Sequence, residues 1–171
     1  MTYCTARQYC DQFGLSEAAM LLQDEEHGLT QHMLNATVRD DAVLLADLNN
    51  IERATGAAAL ARLEDALAEM SVLIDGYLRA VITLPLTLEQ IATTPLKTCC
   101  AELTRCYLMD DSDNVTDTAE KRCEVKRQWL RDVNAGRIKL FADESAASTS
   151  AGETRHGVGK TLTNWRGYPY P

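Results

Sequence analysis

Apolar residues recur through the middle of this chain in a three-four rhythm. Leu60, Leu63, Leu67, Met70, Ile74, Tyr77 and Val81 are spaced 3, 4, 3, 4, 3 and 4, the heptad seam of a helix that packs along one side. At ~1.5 Å per residue the seam covers about 33 Å. It predicts one long helix beginning after Gly56 and forming the core of an intramolecular bundle, with a neighbouring subunit as the alternative packing partner. Leu84-Pro85-Leu86 ends the pattern, since proline has no N–H for the helical ladder. Thr94-Pro95 predicts a restart, with the threonine as cap and the proline in the first turn. Leu96, Cys99, Cys100, Leu103, Cys106 and Tyr107 then line the buried face of that helix. A polar loop, Asp110 to Thr116, leads to a last helix over Asp117 to Ala135. Trp129 and Leu130 lie on its buried side, and Gly136 is its C-cap. Arg137 to Phe141 alternates polar and apolar residues, which predicts a short strand.

Upstream, Thr5 caps a short helix that runs to Phe13 and stops at Gly14. Ser16 and Glu17 open a second one through Leu22. Asp24 to Gly28 reads as a polar loop. A third helix is predicted over Asn35 to Asn50, with Val38, Leu44, Leu45 and Leu48 as its apolar positions. Beyond Phe141 the residues turn to Ser, Thr, Gly and Ala without a periodic stripe, which predicts an extended, flexible tail. The pattern therefore predicts an all-α fold: a small helical bundle over 1–141 with one long helix and a short C-terminal strand, followed by the tail over 142–171.

Charge narrows the function classes. The 171 residues carry a formal net charge of -8, against the basic footprint of a nucleic-acid-binding module. Asp117 to Lys139 is the exception, with seven Lys and Arg against four acids, about +3. An acidic body with a basic last helix suits contacts between protein subunits better than phosphate binding. No apolar run approaches the roughly 18 residues of a membrane span, and no basic-then-apolar leader opens the chain. Cytosolic placement follows as the expectation, with Cys4, Cys10, Cys99, Cys100, Cys106 and Cys123 reduced, and with Cys99, Cys100 and Cys106 acting as small core residues on the apolar face of one helix. They form no CxxC pair, so a zinc framework is not expected.

Three motifs hint at chemistry and fail on spacing. Gly157-Val-Gly-Lys-Thr161 resembles the end of a phosphate-binding loop, but Thr154 stands where the first glycine is needed, and no helix can follow through Trp165-Arg-Gly-Tyr-Pro. Counting a calcium loop from Asp111 puts Thr116 at the glycine position and the cationic Arg122 at the bidentate glutamate position. His27 and His32, near Asp24, Glu25 and Glu26, lack the i, i+4 spacing of a helical ligand pair. No nucleophile elbow or cysteine nucleophile motif is present either. No catalytic residue, metal site or cofactor site is predicted, and the chain is not expected to be an enzyme.

Binding elements remain. Trp165, Tyr168 and Tyr170, interleaved with Arg166, Pro169 and Pro171, are residue types enriched as interface anchors. Arg122, Lys126, Arg127, Arg131, Arg137 and Lys139 form a basic face whose default reading is a solvated surface and whose sharper reading is a docking surface for an acidic neighbour. Both sets are candidate partner-binding residues.

The order of elements resembles the head–tail connector (adaptor) proteins of Mu-like tailed phages and prophages. The likeness rests on Tyr3-Cys4 with the helix to Phe13-Gly14, on Ile74-Asp75-Gly76-Tyr77-Leu78 followed by Leu84-Pro85-Leu86, on Cys106-Tyr107-Leu108, and on Trp129-Leu130-Arg131-Asp132-Val133 with Gly136 and Leu140. It covers most of residues 1–141. The resemblance implies a non-enzymatic virion protein, located in the neck and assembled in the bacterial host cytoplasm. It implies a homo-oligomeric ring matching the portal's dodecameric symmetry, with portal above, tail-terminator or tail proteins below, and DNA passing through without sequence-specific binding. The rival expectation from the residues alone is a small helical regulatory or DNA-binding protein.

Overall fold

Thr5 opens the first helix through a complete capping box. Its hydroxyl accepts from the Gln8 N–H at 3.3 Å, and the Gln8 side chain accepts from the Thr5 N–H at 3.2 Å. In the computed structural model, which describes residues 1–23, 28–110 and 117–141, this helix is α1, Ala6–Phe13. Gly14 ends it and starts α2, Leu15–Leu21, directly. Its φ of 87° lets a single residue turn the chain between the two helices. No side chain caps α2, so the Ser16 start predicted from sequence comes too late.

The single helix predicted over Asn35–Asn50 is two helices. α3, Gln31–Arg39, is capped by Thr30, and α4, Ala42–Ala46, is capped by Asp41. Asp40 between them is left-handed at φ 50°. The Asp41 carboxylate takes the Val43 and Leu44 N–H groups at 2.9 and 3.3 Å. Short aspartates compete with the helical ladder in this way, which is why apolar spacing alone bridged the break.

α5, Asn50–Leu78, spans 29 residues, about 44 Å at ~1.5 Å per residue. Asn49 and Glu52 close a capping box at its start. The helix thus begins before Gly56 rather than after it. Gly56 is buried inside the helix and faces α3, where an added Cβ would collide with Thr37 Oγ1 and lie 3.2 Å from the Met33 carbonyl oxygen. Its purpose is close helix approach, a long-range cause that a local reading takes for a boundary. Leu63, Leu67 and Ile74 of the predicted seam are fully buried, while Leu60, Met70 and Tyr77 are half-buried. Ala59, Ala66, Ser71 and Leu78 widen the buried stripe. Val81 falls in the turn beyond the helix and is 40% exposed. That turn, and not Pro85, ends α5: the Arg79 N–H bonds to the Asp75 carbonyl and the Val81 and Ile82 N–H groups to that of Leu78.

A short helix unforeseen from sequence, α6 at Leu88–Ala92, carries its own capping box from Thr87 and Gln90. α7 follows at Leu96–Asp110. The Pro95 carbonyl accepts the Cys99 N–H at 2.9 Å, whereas the Thr94 hydroxyl donates back to Ile91 instead of capping α7. Leu96, Cys99, Cys100 and Leu103 are buried as the spacing predicts, joined by Thr104 and Leu108. Tyr107 turns outward at 44% exposure. Cys106 is half-buried and forms a disulfide with Cys123 of α8. This overturns the expectation that all six cysteines are reduced: neighbouring helices bring the two Cα atoms to 6.0 Å, a proximity that a separation of 17 residues does not advertise.

α8, Asp117–Asn134, buries Cys123, Leu130 and Val133. Gly136 ends it as expected, with its N–H on the Val133 carbonyl and the Arg137 N–H on that of Asp132, both at 2.9 Å. The predicted strand does not form, and the described residues contain no strand. Ile138, Leu140 and Phe141 instead pack against the core from an irregular, bent segment.

α5 is the central element, packed against α1, α3, α7 and α8. A polar clasp crosses the core beside it. The Tyr3 N–H bonds to Ser71 Oγ at 3.2 Å, the Ser71 hydroxyl bonds to the Leu67 carbonyl at 2.7 Å, and the Tyr3 hydroxyl bonds to the Asp75 carboxylate. The chain divides into two units, Met1–Phe141 and Ala142–Pro171. The predicted loop at Asp24–His27, the calcium-like stretch at 111–116 and the tail with its phosphate-loop remnant lie outside the described residues. Among the described residues no helix is long and apolar enough to cross a membrane.

Candidate interaction surfaces

The basic side chains singled out from sequence do not act as one patch. Arg131 is committed within α8, pairing with Glu124 at 2.6 Å and with the Gln128 side chain at 3.3 Å. The hydrogen bond to Glu124 raises its already high pKa. Arg137 pairs with Asp132 at 2.7 Å across the C-cap. Arg127 and Lys139 are exposed. Arg122 and Lys126 gather elsewhere, with Lys121, on the rim of a shallow groove of about 380 Å³ between α7 and α8. Val125, 64% exposed, lies in that groove, and Glu102 of α7 is its acidic member. Lys121 and Arg122 enter no ion pair among the described residues. Trp165, Arg166, Tyr168 and Tyr170 lie outside the described residues.

A second surface escaped the sequence reading. Opposite its buried stripe, α5 exposes Ala54, Ala58, Ala61, Asp65, Ala68 and Val72, spaced 4, 3, 4, 3 and 4. The helix therefore carries two seams, one made of large residues and one of small ones. The larger residues drew the eye, but the second spacing was there to count. Val72 is 70% exposed and Leu73 39% exposed at one end of this face. Glu64, Asp65 and Glu69 stand beside them, exposed and in no ion pair among the described residues.

Two clefts border α5. One of about 580 Å³ lies at its N-terminal half, lined by Leu22, Leu29, Ile51, Ala58 and Arg62 among others. Another, of about 530 Å³, lies at its C-terminal end between the Tyr3–Asp75 contact and Leu84-Pro85-Leu86. Neither brings together nucleophile, base and oxyanion donors. The four free thiols are buried. Burial pushes Cys4 and Cys99 up to about 12 and Cys10 up to about 11, and raises Cys100 as well. Such thiols stay protonated at neutral pH and pack as small apolar residues. Burial, then the bond to Asp75, likewise holds the Tyr3 hydroxyl protonated.

At the other end of the bundle Arg105 of α7 pairs with Glu17 of α2, and its guanidinium lies 5.3 Å from the centre of the Phe13 ring. The Tyr9 and Phe13 rings meet in a tilted contact at 4.9 Å, and the buried Tyr9 hydroxyl has no hydrogen-bond partner among the described residues. These contacts fasten α1, α2 and α7 together.

A family model described as Bacteriophage Mu, Gp36 matches residues 3–157. The match starts at the Tyr3 clasp, covers every helix of the bundle and runs past Phe141, further than the sequence resemblance extended. The chain is also 34% identical over 90 residues to a protein of Escherichia phage Mu named Gene product J. That alignment takes in 53% of this chain and 60% of the phage protein.

Proposed function

The chain belongs to the Bacteriophage Mu Gp36 family, and from that membership we propose that it is a head–tail connector subunit, a structural protein of the virion neck without catalytic activity. In this reading copies of the chain form a ring below the portal, matching its dodecameric symmetry. The ring extends the DNA channel and offers the surface on which tail-terminator or tail proteins dock. The observation that carries the reading is the family match along residues 3–157, together with the order of elements it covers.

Physical features support it. A closed ring needs heterologous contacts, in which one face of a subunit meets a different face of the next. Acidic and basic surfaces on separate helices provide a pair of that kind. A net charge of -8 repels phosphate, so that DNA passes through such a ring without sticking. Residues 142–171, with their aromatic end, would engage portal or a neighbouring subunit.

Electron microscopy of the chain mixed with its phage's portal protein tests the reading, and rings stacked on portal are expected. Absence of binding to portal or procapsid at every salt concentration overturns it. Deleting residues 142–171 should leave the helical fold intact and weaken assembly. Loss of the fold on that deletion would make the segment part of the core.

A further inference from the structure

The unpartnered face of α5 and the α7–α8 groove fit one another in chemistry. On α5, Val72 and Leu73 are exposed beside Ala68, flanked by Glu64, Asp65 and Glu69. In the groove, Val125 is exposed among Lys121, Arg122 and Lys126. Each surface combines exposed apolar side chains with one dominant charge, and the two signs are opposite. Exposed Val and Leu side chains on a helix otherwise leave apolar area in water, and acids with no ion pair among the described residues can meet a neighbour's bases.

We propose that the outer face of α5 docks into the α7–α8 groove of a second copy of this chain. This rests on the reading of the protein as a ring subunit and names the two faces that join one subunit to the next. The occupant is a second copy because both halves of the complementary pair are present on a single chain. One chain cannot close the contact on itself, since α7 and α8 pack on the other side of α5, against its buried stripe. Ridge and groove are thus different surfaces carried by different elements, and the contact is heterologous, able to repeat from copy to copy. Small residues along the ridge, Ala61 and Ala68 around Asp65, let the incoming helices approach closely. The groove is shallow, which suits a ridge of alanines with one valine better than a large aromatic anchor.

The test uses the full chain and two charge-reversed variants, D65K/E69K on the ridge and K121E/R122E in the groove. All four positions are exposed, and circular dichroism checks that both variants stay folded. Sedimentation velocity at low salt should find the wild-type chain associating as concentration rises, and the association should weaken with added salt. Each variant alone should associate more than about tenfold less tightly, because like charges then face each other. Mixing the two variants in equal amounts should restore association, since each supplies what the other has lost. Wild-type association in either variant, or no recovery on mixing, overturns this contact while leaving the ring reading intact. A wild-type chain that stays monomeric at every concentration also overturns it, and if that chain fails to bind portal as well, the connector reading falls with it.

Discussion

Gly56→Ala is the sharpest probe of the bundle, because local and tertiary effects oppose each other at this position. In a helix interior alanine is favoured over glycine by ~1 kcal/mol. The new Cβ, however, runs into Thr37 Oγ1 and lies 3.2 Å from the Met33 carbonyl oxygen. The Thr37 hydroxyl is held by that same carbonyl at 2.8 Å, so swinging it away forfeits a hydrogen bond worth ~1 kcal/mol. The Met33 oxygen is backbone, and relieving its contact means moving α3 off α5, an overpacking cost of ~1–3 kcal/mol. The balance is a net destabilisation of about 1–3 kcal/mol, or a fall in Tm of about 2–12 °C for a domain of this size. Gly76 lies in the same helix, and its added Cβ would meet nothing within 4 Å. Gly76→Ala should therefore stabilise by ~0.5–1 kcal/mol. Urea unfolding followed by far-ultraviolet circular dichroism reads both variants. Adding Thr37→Ala to Gly56→Ala should recover part of the loss. A Gly56→Ala chain as stable as wild type would refute the close approach of α3 and α5, and with it the explanation for a glycine in mid-helix.

Three further outcomes are expected. Reducing the Cys106–Cys123 disulfide, which spans 17 residues, should lower stability by about 2–3 kcal/mol, whereas a C106S/C123S chain should melt at one temperature with or without reductant. Cys4, Cys10 and Cys99 keep their protons to about pH 11 or 12 when folded, while unfolded thiols ionise near ~8.5. The unfolded chain then binds fewer protons above that pH, so stability is fully present below ~8.5 and falls as pH rises towards 12; unchanged stability over that range, or rapid labelling of these thiols in the native protein, would contradict their burial. Tyr9→Phe removes a buried hydroxyl that has no hydrogen-bond partner among the described residues and should leave unfolding free energy within ~1 kcal/mol of wild type or above it. A larger loss would mean that the hydroxyl is satisfied.

Local signals carried part of this architecture and stopped where distant parts of the chain decide. Thr5 with Gln8 and Gly14 wrote α1 into the sequence, and the Leu63–Leu67–Ile74 spacing wrote the buried side of α5, because caps and periodicity act over one or two turns. Gly56 misled for the same reason, since its cause is α3 and nothing near it in sequence hints at that. The Asp40–Asp41 break was visible in residue type but outweighed by apolar spacing across it. Ile138 to Phe141 alternates whether it pairs in a sheet or lies on a helical core, so the pattern could not separate the two. The candidate surface was half legible. Lys and Arg were countable, but which of them are spent on Glu124 and Asp132 depends on side-chain reach across helical turns. The α5 ridge was overlooked because alanines at heptad spacing look like helix filler until the opposite face is known to be full.

The clasp made by Tyr3 has a consequence for the order in which the chain can fold. Its partners, Ser71 and Asp75, lie 68 and 72 residues further along, so the ribosome emits the first segment long before there is anything for it to grip. Closing a span of that length carries a loop entropy that only a preformed α5 can offset. During synthesis the Tyr3 clasp can therefore close only when the end of α5 has emerged. Completion of the long helix thus comes before the contact that ties the Tyr3 segment to the core.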